Sequence, residues 1–315
     1  MMTSNISMDF RSLAKLISKI ENNRIGSEQD LINLYKENSE TVVIGITGPP
    51  GAGKSSLTDK IIYEYRKLGK TVGVVAVDPS SPFSGGAILG DRIRMSDHAN
   101  DSGVFIRSMG SRGSLGGLAP ATIDVLNIMK SIGFDVLIVE TVGVGQSEID
   151  VMSIADTVLL VLVPGLGDDI QALKAGIMEI ADIFVINKAD KDGKDRLIAE
   201  VNMIIQLNRH RFKWVPPIVE TVATENKGLP ALMDQISDRN SWLRSNGADV
   251  KKDKILNQFK HMALDRIGND IMNMLNSNKI FDRWTADLLA GKSNPYSAMN
   301  ELGNNLQIKW EEKSK

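Results

Sequence analysis

The run GPPGAGKS at residues 48–55 constrains this chain more than any other feature, because it fits the spacing G-x-x-x-x-G-K-[ST] of a phosphate-binding loop. An apolar stretch, Val42–Thr47, precedes the run, and a helical pattern with Leu57, Ile61 and Ile62 follows it. Glycines let backbone N–H groups converge on a phosphate, and the amino end of a helix adds a positive dipole end. The pattern predicts a strand, a phosphate loop and a helix that together bind a nucleoside triphosphate.

The side chains of this loop have distinct expected tasks. The Lys54 ammonium is predicted to reach the β and γ phosphates, and the Ser55 hydroxyl to bind Mg²⁺. Position 49 is proline, whereas dimeric partition-type ATPases carry a signature lysine there, so the sequence argues against that branch. The predicted phosphate contacts are Gly48, Pro49, Pro50, Gly51, Ala52, Gly53, Lys54, Ser55 and Ser56.

Short apolar runs rich in β-branched residues alternate with longer helical patterns between residues 41 and 240. The runs are nearly continuous instead of alternating in polarity, as is typical of strands buried on both faces of a parallel sheet. We therefore predict an α/β fold with a doubly wound, mostly parallel sheet and a ligand site at the carboxyl ends of the strands. The predicted strands are Val42–Thr47, Val72–Val77, Val136–Glu140, Thr157–Val163, Ile183–Ile186 and Ile218–Thr221.

Helical patterns without strands occupy both ends of the chain. They predict three domains, namely an N-terminal helical extension at 1–40, the P-loop domain at 41–240 and a C-terminal helical arm at 241–315. Apolar residues from Phe10 to Ile20 recur at helical spacing, so this helix is expected to pack on the next domain, and a second short helix is expected at Asp30–Lys36. The sequence leaves open whether the C-terminal arm packs on another subunit or on its own domain.

Composition narrows the functional classes. The chain has 315 residues, no cysteine, three widely separated histidines and a formal net charge of −2. Disulfides and thiolate metal sites are excluded, and a zinc or nickel site within one chain is not expected. The nearly balanced charge argues against nucleic acid as the main partner. No stretch approaches about 18 apolar residues and no secretory pattern opens the chain, so we expect no membrane span and a cytoplasmic location.

The tetrapeptide Asn187-Lys188-Ala189-Asp190 follows a predicted strand and indicates which base is bound. The Asp190 carboxylate can accept hydrogen bonds from N1–H and the 2-amino group of guanine, a donor pair that adenine lacks. Asn187 and the stem of Lys188 are expected to frame the ring. A second, backbone contact to the guanine oxygen is expected at Val222, Ala223 and Thr224, which follow the last strand. The predicted ligands are therefore GTP and GDP.

Several carboxylates lie where a magnesium site is expected. Glu140 ends a strand at the position where GTPases usually carry the aspartate that assists Mg²⁺, an ion that prefers oxygen ligands. Asp78 and Asp91 flank a glycine-containing segment after another strand. Each carboxylate could contact Mg²⁺ directly or through water, or could position the attacking water.

The predicted reaction is in-line attack of water on the γ-phosphate, with Lys54, Mg²⁺ and backbone N–H groups stabilising the transferred charge. Gln146 and Asp78 are the candidates for orienting the water. The segment Thr141–Glu148 is glycine-rich and polar, which suits a mobile switch. A second mobile stretch is expected after the strand Val72–Val77, and a third stretch begins at Pro164 after another strand.

Five segments, taken in order, resemble the MeaB/ArgK-type GTPases, which include the methylmalonyl-CoA mutase-associated chaperones. The segments are GPPGAGKSS, VDPSSPFSGGAILGDRIRM, ETVGVGQSE, PGLGDDIQALKAGIMEIAD and NKAD, and the resemblance covers most of the chain. It implies a homodimer with a C-terminal dimerisation arm. It also implies a client, an adenosylcobalamin-dependent acyl-CoA mutase, whose cofactor loading and protection are gated by GTP hydrolysis.

Site residues can be carried over motif by motif. The resemblance implies that Thr141–Glu148 form switch II, that Pro164–Lys174 form a third switch facing the client, and that Mg²⁺ is surrounded by Ser55, Asp78, Asp91 and Glu140. Two departures from the family pattern stand out. Ser56 occupies a position where many relatives have threonine, and Val222-Ala223-Thr224 replaces the commoner serine-alanine start of the base-binding loop.

Two other functional classes stay open at this point. A metallochaperone-type GTPase, as in urease or hydrogenase maturation, needs cysteine or histidine ligands that this sequence does not supply. A transport-associated kinase or ATPase needs a catalytic base beside a substrate hydroxyl, and the sequence offers no such base. The NKAD segment also argues against ATP.

Overall fold

In a computed structural model of the protein, the described residues are 9–22, 26–34, 40–78, 98, 100–110, 120–141, 154–165, 180–277 and 280–305. The chain divides into two compact units, Met1–Gln258 and Phe259–Lys315. The predicted division at residues 40 and 240 stays a prediction.

Seven strands form one sheet in the first unit, and every neighbouring pair is parallel. Their order across the sheet is β3-β2-β4-β1-β5-β6-β7. This confirms the predicted doubly wound α/β class. The strands are β1 (Val42–Thr47), β2 (Val72–Asp78), β3 (Val104–Gly110), β4 (Val136–Thr141), β5 (Thr157–Leu162), β6 (Ile183–Asn187) and β7 (Ile218–Thr221).

Six of these strands coincide with predicted apolar runs, with ends that agree to within one residue. The central strands are buried along almost their whole length, which explains why continuous hydrophobicity located them. Strand β3 was missed. It lies at the edge of the sheet, and its second half carries Arg107 and Ser108, so its sequence lacks the apolar run of a central strand.

Helices cover both faces of the sheet and continue beyond it. The helices are α1 (Phe10–Glu21), α2 (Ser27–Leu34), α3 (Lys54–Lys67), α4 (Pro120–Ile132), α5 (Lys194–Leu207), α6 (Leu229–Asn246), α7 (Ala248–Ser277), α8 (Ile280–Leu289) and α9 (Pro295–Asn305). On one face of the sheet, α3 packs with β1 and β5, and on the other face α4 packs with α1. Among the described helices, none is both long and apolar enough to cross a bilayer.

Helix α1 packs on the domain as its apolar periodicity predicted. The Asp9 carboxylate caps its amino end by accepting hydrogen bonds from the backbone N–H groups of Arg11 and Ser12, both at 3.0 Å. The buried face, which includes Leu13 and Ile17, joins the core beside α4. An ion pair between Glu21 and Arg107 of β3 adds a polar link between the helix and the sheet edge.

A polar cluster lies at the amino ends of β5 and β6. The Asp182 carboxylate accepts a hydrogen bond from the Val158 backbone N–H at 2.9 Å and pairs with Arg239 of α6 at 2.7 Å. The Arg239 guanidinium is 5% exposed, and its carbon lies 5.5 Å from the ring centroid of Trp214 and 4.7 Å from that of Trp242. The aromatic faces thus surround a cation whose Nε and Nη1 atoms lack hydrogen-bond partners among the described residues.

The second unit contains its own small core, formed by Leu275, Trp284 and Ala298. The Trp284 indole N–H donates to the Glu301 carboxylate at 3.1 Å, which ties α8 to α9. Helix α7, whose residues belong in part to the first unit and in part to the second, leaves seven large apolar side chains exposed, and these are Ile255, Leu256, Phe259, Met262, Leu264, Ile267 and Met272.

Candidate nucleotide-binding site

The phosphate loop follows β1, which lies between β4 and β5 at the centre of the sheet. Three glycines let the backbone of the loop adopt positive φ angles, which are +140° at Gly48, +77° at Gly51 and +87° at Gly53. A Cβ at Gly48 would lie 2.1 Å from the Val161 backbone oxygen, so no larger residue fits there. The loop ends where α3 begins, and the amino end of α3 therefore faces the predicted phosphate position.

Lys54 is the first residue of α3 and is almost fully buried. Its ammonium donates hydrogen bonds to the backbone oxygens of Gly48 at 2.7 Å and Pro49 at 3.1 Å. The side chain therefore lies across the loop instead of extending into solvent. This holds the cation where the β and γ phosphates are predicted to bind.

A buried carboxylate faces the start of α3. The Ser55 hydroxyl donates to Glu140 Oε1 at 2.6 Å, and Thr58 Oγ1 lies 2.8 Å from Glu140 Oε2. Glu140 is paired in register with Ile46 of β1 and is 5% exposed. An ionised carboxylate beside a hydroxyl is an oxygen donor set of the kind that Mg²⁺ prefers, so Ser55 and Glu140 fit the implied magnesium ion.

The loop that is predicted to bind the base is fastened to the phosphate loop through Asn187, the last residue of β6. Its side-chain amide donates to the Ala52 backbone oxygen at 2.8 Å. Its amide oxygen accepts hydrogen bonds from Thr221 Oγ1 and from the Ala223 backbone N–H, both at 3.2 Å. One side chain thus joins three segments, and this explains why it is 2% exposed despite being polar.

Close contact between these segments depends on Gly53. A Cβ at this position would lie 2.4 Å from Asn187 Nδ2. Lys188 adds a second link, because its ammonium donates to the Gly51 backbone oxygen at 2.8 Å. The Lys188 backbone is left-handed, with φ of +54°, so the chain turns sharply after Asn187.

Asp190 is exposed beside this turn, and the loop after β7 lies nearby. The Ala189 N–H donates to the Thr221 oxygen at 3.1 Å, which sets the two base-binding segments side by side. Val222 forms an isolated bridge with Lys227, and Thr224 is exposed. The ion pair with Glu225 raises the pKa of Lys227, and the Asp190 carboxylate adds to the shift in the same direction.

Other predicted site residues fall elsewhere. Asp91 and Gln146 lie outside the described residues, as do 142–148 of switch II and 166–174 of the third switch. Asp78 ends β2, but its side chain is outside what the structure describes. Of the four predicted magnesium ligands, Ser55 and Glu140 are the two whose side chains the structure describes. Within the described ranges, no group of three or more His, Asp or Glu side chains could hold a metal ion.

Sequence reasoning overlooked two polar contacts in this site. Thr58 contacts Glu140, and its position one helical turn after Ser55 was the available signal. Thr141 Oγ1 donates to Thr47 Oγ1 at 2.9 Å, joining the ends of β4 and β1. Thr47 and Thr141 end buried strands, and the hydrophobicity of these strands does not predict a contact between the two hydroxyls.

A phosphate loop at the centre of a parallel sheet, fastened to an Asn-Lys-Ala-Asp loop, is the arrangement of the P-loop GTPases, enzymes that hydrolyse GTP to GDP and phosphate. Residues 13–279 match the family described as methylmalonyl Co-A mutase-associated GTPase MeaB, and the chain belongs to this family. The family membership expected from the five sequence segments is thereby confirmed.

Individual relatives agree with this family. The chain is 54% identical over 242 residues to a GTPase of Pyrococcus abyssi, a match that covers 76% of this chain and 75% of the relative. It is 35% identical to GTPase ArgK of Escherichia coli, across 86% of this chain and 83% of the relative. A crystal structure described as LAO/AO transport system kinase shares the fold, with a TM-score of 0.65, 24% identity, and coverage of 94% of this chain and 98% of that chain.

Proposed function

We propose that this GTPase controls cofactor loading and protection of an adenosylcobalamin-dependent acyl-CoA mutase such as methylmalonyl-CoA mutase. The observation that carries the proposal is the family match, whose description names association with that mutase and whose span of 13–279 runs from α1 to the end of α7. The match thus includes helices that lie outside the sheet as well as the nucleotide site.

The described residues suggest how the chain prepares GTP for attack. Lys54, held across the phosphate loop by two backbone oxygens, is placed to stabilise charge that develops on the transferred phosphoryl group. Ser55 and Glu140 would hold Mg²⁺, which when bound neutralises charge on the β and γ oxygens. We propose that Gln146 and Asp78 orient the attacking water, and that Asp91 and Asp78 complete the magnesium shell.

Base recognition is proposed to use the loops after β6 and β7. Asp190 would accept hydrogen bonds from guanine, while Asn187 and Lys188 frame the ring. The backbone at Val222, Ala223 and Thr224 would face the guanine oxygen. Support comes from the hydrogen bonds that set these two loops beside the phosphate loop.

Control of a client requires that the nucleotide state change the surface that the client contacts. Strands β2, β4 and β5 run parallel to β1, so they end at the edge of the sheet where β1 leads into the phosphate loop. In the sequence, these three strands are followed by segments that include 79–97, 142–153 and 166–179. We propose that two of them, Thr141–Glu148 and Pro164–Lys174, rearrange with GTP hydrolysis and report the nucleotide state to the mutase. Intrinsic turnover is then slow, and the client orders these segments.

A turnover assay tests this proposal. Saturating mutase is expected to accelerate GTP hydrolysis, because the client orders the segments next to the nucleotide. Mutase affinity for the GDP form and for a form with a non-hydrolysable GTP analogue should differ by about 5- to 150-fold, the usual range for coupling between two binding events. Unchanged turnover together with equal affinities would refute control of the mutase. Labelled phosphate that appears on the mutase instead of in solution would identify a kinase.

We further propose that the protein is a homodimer assembled through α7. Ile255, Phe259 and Met262 recur at helical spacing on this helix and are 56%, 68% and 50% exposed. Apolar side chains that line one face of a helix at this density are typical of a protein–protein contact. The occupant proposed for this face is a second copy of the same helix.

Light scattering on a size-exclusion column checks the dimer. The wild-type protein is expected to elute with the mass of two chains, and Met262→Glu is expected to shift it to one chain, because a charge would be buried in an apolar contact. Met203→Glu is the matched control, since Met203 is also a methionine, is 65% exposed and belongs to a different helix, α5. A wild-type monomer at micromolar concentration, or equal effects of both substitutions, would contradict the proposed interface.

A further inference from the structure

Helix α3 presents two hydroxyl groups, one turn apart, to a single carboxylate. Ser55 Oγ lies 2.6 Å from Glu140 Oε1, and Thr58 Oγ1 lies 2.8 Å from Glu140 Oε2. Ser55, Thr58 and Glu140 are 8%, 0% and 5% exposed. Each carboxylate oxygen therefore has its own hydroxyl neighbour inside a site that excludes most solvent.

Thr58 has a second acceptor within reach, the Lys54 backbone oxygen at 3.0 Å. Threonine side chains in helices often donate to the carbonyl four residues earlier, so that contact alone would have only a structural meaning. A hydroxyl has one proton, however, and an ionised carboxylate is the stronger acceptor. The shorter distance to Glu140 agrees with this choice, and the proton is directed to the carboxylate.

The length of the glutamate side chain at position 140 gives this contact its importance. Its side chain has one more rotatable bond than the aspartate usual at this position, so its carboxylate has an additional way to turn. With both oxygens held by hydroxyls on α3, the carboxylate plane is fixed relative to Ser55. If the Thr58 hydroxyl is absent, Oε2 loses a charge-assisted hydrogen bond in a buried place and the carboxylate can rotate away.

We propose that Thr58 is a positioning residue for magnesium: it fixes the Glu140 carboxylate in the orientation that lets Ser55 and Glu140 hold the ion. Thr58 itself does not contact the metal or the nucleotide. The inference rests on the proposed magnesium site at Ser55 and Glu140. Thr58 would thus support a magnesium ligand from α3, the helix that also carries Lys54.

Thr58→Val tests the role, because valine keeps the shape of threonine and removes only the hydroxyl. The measurement is the release rate of a fluorescent GDP analogue as a function of free Mg²⁺. Loss of an outer-shell partner of a metal ligand typically weakens metal affinity about 10- to 100-fold, so the Mg²⁺ concentration that half-maximally slows release is expected to rise by that factor. Release in excess chelator should stay at the wild-type rate.

Two further variants separate positioning from packing. Thr58→Ser retains the hydroxyl and is expected to restore the wild-type Mg²⁺ dependence. Thr122→Val is the matched control, since Thr122 is also 0% exposed, lies in α4 against the opposite face of the sheet, and has a hydroxyl with no hydrogen-bond partner among the described residues. This control should leave the Mg²⁺ dependence unchanged. If Thr58→Val does not fold, Thr58→Ala must show the same shift.

The outcomes distinguish this inference from the site on which it rests. Wild-type release that does not respond to Mg²⁺ overturns the magnesium site itself. A normal wild-type response with an unchanged Thr58→Val curve overturns the positioning role alone. An equal shift in Thr58→Val and Thr58→Ser also overturns it, because the hydroxyl would then not be the group responsible.

Discussion

Asp190→Asn is expected to invert the base preference of this enzyme from guanine to xanthine. A carboxylate offers acceptors to both N1–H and the 2-amino group of guanine, whereas an asparagine amide can offer one acceptor and one donor. The amide donor would face the 2-amino group of guanine, but it would match the carbonyl that xanthine has at this position. Sites built on such hydrogen bonds discriminate by about 10⁴-fold, so the ratio of GTP to XTP affinity should change by that order.

Competition between GTP and XTP for a fluorescent nucleotide measures this ratio. Asp192→Asn provides the control, because Asp192 is also exposed in the same turn and its substitution changes charge by the same amount. The control should keep the wild-type preference for GTP. If Asp190→Asn also kept it, the assignment of the base-binding loop would be wrong, and guanine recognition would have to be sought elsewhere.

Gly53→Ala is expected to weaken nucleotide binding by about 100-fold beyond the effect of a left-handed backbone alone. A Cβ at this position would lie 2.4 Å from Asn187 Nδ2, so the Asn187 side chain must move. Its three hydrogen bonds, to Ala52, Thr221 and Ala223, join the phosphate loop to both base-binding segments. At about 1 kcal/mol each, their loss amounts to about 3 kcal/mol, which corresponds to the expected factor.

A glycine outside the phosphate loop provides the control for this substitution. Gly69, which follows the carboxyl end of α3, also has a left-handed backbone, with φ of +73°, and a Cβ there would meet nothing within 4 Å. Gly69→Ala therefore carries the backbone strain of about 1–2 kcal/mol without displacing a neighbour. Titration with labelled GDP compares the two, and thermal melting confirms that both variants are folded. Equal losses of affinity would show that Asn187 does not hold the site together.

Much of the fold was predictable because buried parallel strands must be apolar on both faces. The continuous runs at β4, β5 and β6 follow directly from that requirement. Strand β3 was not predictable in this way, since Arg107 in its second half is paired with Glu21 of α1, a residue 86 positions away in the sequence. Only the tertiary structure explains why an arginine lies in a strand at that place.

The site was predictable where chemistry requires a fixed spacing. The phosphate loop, with Lys54 and Ser55, is such a case, because the phosphate, the helix end and the metal must meet within one turn. Thr58 differs, because its position one turn after Ser55 does not by itself show that a glutamate on a distant strand reaches the second turn of α3. Its role depends on the length of the Glu140 side chain and on the register of β4 beside β1.

The ion pair between Asp182 and the buried Arg239 limits the evolutionary paths open to this sequence. Loss of Asp182 leaves the buried charge of Arg239 uncompensated, at a cost of about 3–5 kcal/mol, against a total stability of roughly 5–15 kcal/mol for a typical domain. Replacement of both by apolar residues of similar volume is often neutral. Trp214 and Trp242, whose rings face the guanidinium, would then have to adapt as well. These four positions are therefore expected to drift as a set, and single substitutions among them to be removed by selection.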